Sequence, residues 1–147
     1  MRAFPDGHSL LMATSTNAIN ATLYDNLNFN FIRDTAPVAS IARTPLIMEV
    51  NPSFPAKTIP DFISYAKANP GKINMATAGI GSSVHLAGTL FMTMTGVQLV
   101  PVHYRNSYVP DMLGGQVQVV FSPVPTTIEQ VRAGKLRALA VTRVKTH

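Results

Sequence analysis

The chain has 147 residues, 46% of them apolar, a formal net charge of +5 and no cysteine. That length holds one domain or parts of two, and the apolar share supplies a core. Disulfides, thiolate nucleophiles and thiolate metal sites are excluded, and no apolar run reaches the roughly 18 residues of a membrane span.

Basic side chains outnumber acidic ones 12 to 7. So few carboxylates leave little for paired-acid chemistry, while the positive field suits a small anion. Arg132, Lys135, Arg137, Arg143 and Lys145 crowd the last stretch without interleaved aromatics. A solvated basic face is therefore the better reading than a nucleic-acid surface. Met1 to Gly7 contains no apolar h-region, so no signal peptide is expected in this chain.

Pro5-Asp6-Gly7 signals a turn. Ser9 to Thr14 reads as a buried strand, with Ser15, Thr16 and Asn17 just past its end. Hydroxyls and an amide placed there either line a crevice of an open α/β sheet or cap the next turn. Ala18-Ile19-Asn20 starts a short helix. Leu23 to Asn30 is a loop anchored by Tyr24, Leu27, Phe29 and Phe31. Val38 to Val50 reads as two strand-like pieces kinked at Pro45, long enough to cross between two lobes. Asn51 to Pro55 is a linker. Thr58, Pro60 and Asp61 make a helix start, Phe62, Ile63 and Ala66 its buried face, and Asn69-Pro70-Gly71 its end.

Ile73 to Ala76 is a short buried strand, followed by Thr77, Ala78, Gly79, Ile80 and Gly81. The glycines free the backbone for a tight reversal. Ser82 or Ser83 caps a helix whose apolar set is Val84, Leu86, Ala87, Leu90, Phe91 and Met94, and Gly96 stops it. A helix start of this kind presents unpaired N–H groups and the positive end of the dipole to an anion. The competing reading is a turn and a cap with no ligand. Leu99 to Val102 is a strand with His103, Tyr104, Arg105 and Asn106 past its end. Ser107 caps a short helix stopped at Gly114-Gly115. Val117 to Phe121 is a strand, Pro125-Thr126-Thr127 opens a helix ended by Gly134, and Leu136 to Val141 reads as a central last strand.

From Thr58 onward the order is αβαβαβαβ with short connections, which predicts parallel strands with their C-terminal ends at one edge. Thr77 to Ser83, His103 to Asn106 and Ser122 to Thr126 gather there, where such sheets bind ligands. Cofactor motifs are missing. Val84 occupies the third glycine position of a dinucleotide fingerprint, and no phosphate loop or nucleophile elbow occurs. His8, His85, His103 and His147 lack metal-ligand spacing. Ser82 with His85 or His103 is a conceivable nucleophile pair, but no acid is placed to orient either histidine. Donors therefore converge without a nucleophile or base, which points to binding without cofactor, metal or catalysis.

Several segments resemble the tripartite tricarboxylate transporter substrate-binding receptors, the Bug family of periplasmic solute receptors. They are Pro5-Asp6-Gly7-His8-Ser9-Leu10-Leu11, Ala18 to Tyr24, Ala36 to Ala39, Pro55 to Thr58, Ala66 to Lys72, Ala78 to Gly88, Asp111 to Val117 and Ala133 to Thr142. The resemblance implies a type II periplasmic-binding-protein-like α/β fold with two lobes that close on a small di- or tricarboxylate. It implies delivery to membrane permease subunits, a periplasmic location and no nucleic-acid partner. By the same resemblance Ala78 to Ser83 and Ser15 to Asn17 contribute to the ligand site. The candidate set is Ser15, Thr16, Asn17, Thr77, Ala78, Gly79, Gly81, Ser82, Ser83 and Tyr104.

The chain departs from the pattern in places. Tyr104-Arg105-Asn106 stands for Tyr-Lys-Gly and Phe121-Ser122 for Phe-Asp, which argues against amino-acid ligands. A glycine-rich loop segment that usually precedes and a region that usually follows Thr142 are not in this chain, so an interior piece is expected. One lobe is nearly complete: residues 1–50 hold a partial first lobe and a crossover strand, 51–135 the second lobe, and 136–147 a return crossover. Three rival readings remain: a small α/β hydrolase or transferase using Ser82, a soluble sensor module built on the receptor fold, and a truncated reading frame without function.

Overall fold

The computed structural model describes residue 4 and residues 6–142. Pro5 of the first turn signal and Arg143 and Lys145 of the basic stretch lie outside the described residues. The elements are α1 (Ser15–Leu23), β1 (Leu46–Val50), α2 (Ile59–Ala68), β2 (Asn74–Thr77), α3 (Ser83–Thr95), β3 (Val100–His103), α4 (Val109–Leu113), β4 (Val119–Pro123), α5 (Val124–Arg132) and β5 (Arg137–Val141). The alternation expected from Thr58 onward is present.

The strands form one five-stranded sheet in the order β3-β2-β4-β1-β5. β2 runs parallel to both β3 and β4. β1 lies antiparallel to β4 and to β5. Four strands therefore point one way and β1 alone opposes them. The parallel strands end together, with Thr77 paired to His103 and Pro123 closing β4 nearby across the sheet.

Alternation along each strand sorts the core onto two faces. Met48, Val50, Met75, Val119 and Phe121 meet Phe62 and Ala66 of α2 and Phe91 of α3 on one face. Ala76 and Val120 meet Met112 of α4 and Val131 of α5 on the other, with Tyr108 just before α4. Phe62 is fully buried and stacks near Phe54 and Phe91 with centroid separations of 5.4 and 5.9 Å. Burial of a side chain of that size contributes about 2–3 kcal/mol. The start of α2 is built as its sequence indicates: Thr58 Oγ1 accepts from the Asp61 amide at 3.3 Å, and proline lies in the first turn.

Four expectations need correction. Ser9 to Thr14 forms no strand; Leu10 and Met12 are 85% and 70% exposed. The strand-like piece from Val38 to Arg43 is likewise unpaired and exposed. An apolar run becomes a strand only where a sheet edge accepts its amides, and the edges here, β3 and β5, accept neither. Leu136 to Val141 is not central: β5 is an edge strand, because β1 inserts between it and β4. Finally, α3 carries two apolar stripes and buries one. Val84 and Gly88 are buried and Ala87, Phe91 and Met92 pack on the core, while Leu86, Leu90 and Met94 point outward. Gly88 selects the stripe, since a Cβ there would lie 2.2 Å from Met75 Sδ.

Candidate functional site

β2 delivers Thr77 to the sheet edge as a fully buried residue. Its hydroxyl oxygen accepts from the Gly79 amide at 3.3 Å and meets His103 Nδ1 at 2.5 Å. The Thr77 hydroxyl can donate to Nδ1 or accept from it, the direction following the His103 tautomer. Two adjacent strands and the glycine loop are thereby joined at one hydroxyl.

The loop reverses through Gly79 and Gly81 at φ +99° and +82°, a backbone region that side chains disfavour. Ser82 then caps α3. Its Oγ accepts from the His85 amide at 3.2 Å and donates its own proton to the Gly79 carbonyl at 2.7 Å. Ser83 opens the helix half-buried. Among the described residues, the amides of Ile80, Gly81, Ser83 and Val84 have no acceptor within the protein. No acidic residue lies in the first turn of α3. Loop and helix start thus carry a cluster of uncommitted N–H groups beside the positive end of a helix.

Two histidines flank this cluster. The ring centroids of His85 and His103 are 5.6 Å apart. Burial first, and the neighbouring His103 second, hold His85 below the ordinary imidazole value. The His85 ring is therefore favoured neutral in the absence of an anion, and a carboxylate beside it would favour its protonation. The sequence places His103 at the ligand-binding edge and His85 in the first turn of α3, and does not bring the two together. Sequence separation hid the pairing, because His85 and His103 meet only through the β2–β3 register.

The remaining candidates divide. Ala78 is exposed beside the loop. Tyr104 places its amide on the Thr77 carbonyl at 2.8 Å, but its hydroxyl donates to Asp111 at 2.7 Å. Burial and that bond push the phenol up to about 12, so its proton is already committed. Ser122, expected at the edge, is fully buried and turned inward. Ser15, Thr16 and Asn17 lie in the first turn of α1 rather than past a strand. Asn17 Oδ1 accepts from the Thr14 amide at 2.9 Å, which makes it a cap. α1 does reach the glycine loop, through residues the sequence reading missed. A Cβ on Gly81 would lie 2.6 Å from Asn20 Oδ1 and 3.2 Å from Leu23 Cδ2. Asn20 Oδ1 is buried there without a partner among the described residues. A separate open cleft of about 430 Å³ lies beyond α1, lined by Tyr24, Phe29, Phe31 and Arg33 among others, and no glycine-loop residue lines it.

Residues 1–147 match a family model described as tripartite tricarboxylate transporter family receptor. Protein BugT of Bordetella pertussis is 32% identical over 140 residues, which is 92% of this chain and 43% of that protein. A solved structure described as a periplasmic transporter shares 38% identity with a TM-score of 0.85, over 98% of this chain and 50% of that one. The structure of R. palustris Rpa4515 with adipate shares 35% identity with a TM-score of 0.75, over 83% of this chain and 42% of that one. The chain spans less than half the length of BugT.

Proposed function

The chain belongs to the tripartite tricarboxylate transporter receptor family, and from that premise we propose that it forms part of a periplasmic receptor that binds a small dicarboxylate for a membrane permease. The family is one of receptors, not enzymes. The observation that carries the ligand class is the set of free amides at Ile80, Gly81, Ser83 and Val84, with no carboxylate in the first turn of α3. Such donors suit a carboxylate oxygen and offer nothing to a cation. Adipate in the similar Rpa4515 structure supports a dicarboxylate of moderate length. Thr77, Gly79, Gly81, Ser82 and Ser83 form the cradle, with His85 and His103 beside it.

Turnover through Ser82 finds no support in the geometry. Its proton goes to the Gly79 carbonyl, so no base is placed to take it. The wider assignment follows the family. β1 and β5, adjacent at one side of the sheet, connect to the other lobe, and lobe closure shifts an open population to a closed one. Among the described residues no helix is long and apolar enough to cross a membrane.

The test is amide NMR of the 147-residue chain titrated with adipate, with a diamine of equal length as control. Shifts confined to the amides of residues 79–85 with adipate alone are expected. Adipate shifts absent from that loop, or matched by the diamine, exclude the cradle.

A further inference from the structure

Glu49 is fully buried on β1, on the face that packs against α4 and α5. Two hydroxyl residues surround its carboxyl, and both are fully buried. Thr127 of α5 places Oγ1 2.6 Å from Glu49 Oε1. Ser122 of β4 places Oγ 3.1 Å from Glu49 Oε2. The two hydroxyl oxygens are themselves 2.6 Å apart. Three oxygen–oxygen contacts thus close a ring through three side chains.

Three contacts need three protons, and serine and threonine supply one each. If Glu49 is ionised, one contact has two oxygens facing each other with no hydrogen between them. If Glu49 is a carboxylic acid, the count closes. Its O–H donates to Thr127, the Thr127 hydroxyl donates to Ser122, and the Ser122 hydroxyl donates to the second carboxyl oxygen. Each member then gives one proton and receives one.

The surroundings agree with a neutral group. On β4 the cross-strand partner is Val120. On β5 the register shifts at Glu49, which faces Ala138. The nearby Arg137 guanidinium is directed to the carbonyls of Phe54 and Ala56 at 3.4 and 3.5 Å. On α5 the ion pair of Arg132 with Glu129 lies in solvent. Ahead of α4, Tyr108 is the titratable group that senses Glu49. Its buried hydroxyl lies toward Ser122 and makes no hydrogen bond of normal geometry among the described residues. Among the described residues no cation pairs with Glu49, and an unpaired buried charge is strongly disfavoured.

We propose that Glu49 is carried as a neutral carboxylic acid, and that its proton latches β1 to β4 and α5 until rising pH removes it. Burial, the largest influence, raises the carboxyl above its ordinary value, against the lowering effect of the Thr127 and Ser122 bonds. The sign follows from linkage. A group raised in the folded state stabilises fully below its ordinary value, and the contribution is lost as pH rises through the folded-state value. Ser122 sits one residue before the end of β4, so opening the latch loosens the strand that leads to the binding edge.

The experiment compares urea unfolding of the 147-residue chain and Glu49→Gln from mildly acid to mildly alkaline buffer. Glutamine preserves the ring, donating to Thr127 and accepting from Ser122, and cannot ionise. The wild-type unfolding constant should rise with pH, about tenfold for each pH unit by which the carboxyl is raised, while Glu49→Gln lacks that rise and keeps only the opposite, falling slope that the lowered His85 contributes. A Tyr108→Phe background separates any contribution of the phenol. Equal pH slopes in wild type and Glu49→Gln overturn the proposal. Should Glu49→Gln fail to fold, the carboxyl ¹³C shift of Glu49 in the wild-type chain decides. A protonated position at neutral pH supports the latch, and an ionised position overturns it.

Discussion

At Gly81 two constraints meet that a substitution cannot satisfy together. The backbone sits at φ +82°, and an added Cβ would lie 2.6 Å from Asn20 Oδ1. An alanine must adopt a disfavoured conformation and displace the Asn20 and Leu23 side chains of α1 from the loop. We expect Gly81→Ala to lose about 1–3 kcal/mol of stability, read from the urea midpoint, and to weaken adipate binding through displaced amides. A variant as stable as wild type would show that α1 does not press on the loop. Gly79 provides the contrast. Its φ is +99°, but no atom lies within 4 Å of an added Cβ, so only the conformational part of the cost applies there. The two glycines look alike in sequence, and what approaches them separates them.

The helix that opens the proposed cradle is positioned by a missing side chain about one and a half turns beyond its first residue. Gly88 lets α3 settle onto β2, where Met75 is fully buried and its Sδ would meet a Gly88 Cβ at 2.2 Å. Gly88→Ala overpacks this contact, at a cost of about 1–3 kcal/mol. Because the clashing atoms are the end of a flexible methionine, trimming the partner should relieve it. We predict that Gly88→Ala with Met75→Val is more stable than the sum of the two single changes, a coupling measurable by a double-mutant cycle. Strict additivity would mean that α3 is held by other contacts. The same packing explains why Leu86, Leu90 and Met94, which share helical spacing with the buried stripe, face outward.

Across the whole molecule, organisation is uneven. Residues 46–142 contain all five strands and both core clusters. Residues 6–45 contribute α1 and a long irregular stretch in which Leu10, Met12, Ile32, Val38 and Ile41 are exposed. Segments with few buried contacts open at low free energy and are cut first. Limited proteolysis followed by mass spectrometry should therefore cleave within residues 24–44 before any site in the sheet. Early cleavage inside residues 46–142 would contradict this. The chain spans less than half of BugT.

Periodicity and local chemistry were enough to read the α2 start at Thr58, the α3 cap at Ser82 and stop at Gly96, the helix–strand alternation and the gathering of loops at one sheet edge. These depend on neighbours a few residues away: a capping hydroxyl, a glycine turn, a two- or three-four-residue apolar repeat. Pairing partners were beyond that reach. Whether Ser9 to Thr14 becomes a strand, which side of β1 receives β5, which stripe of α3 is buried, and that His85 meets His103 while Glu49 meets Thr127 all depend on contacts between distant positions. A short apolar segment has the same local preferences whether or not an edge awaits it, so only the assembled sheet could decide.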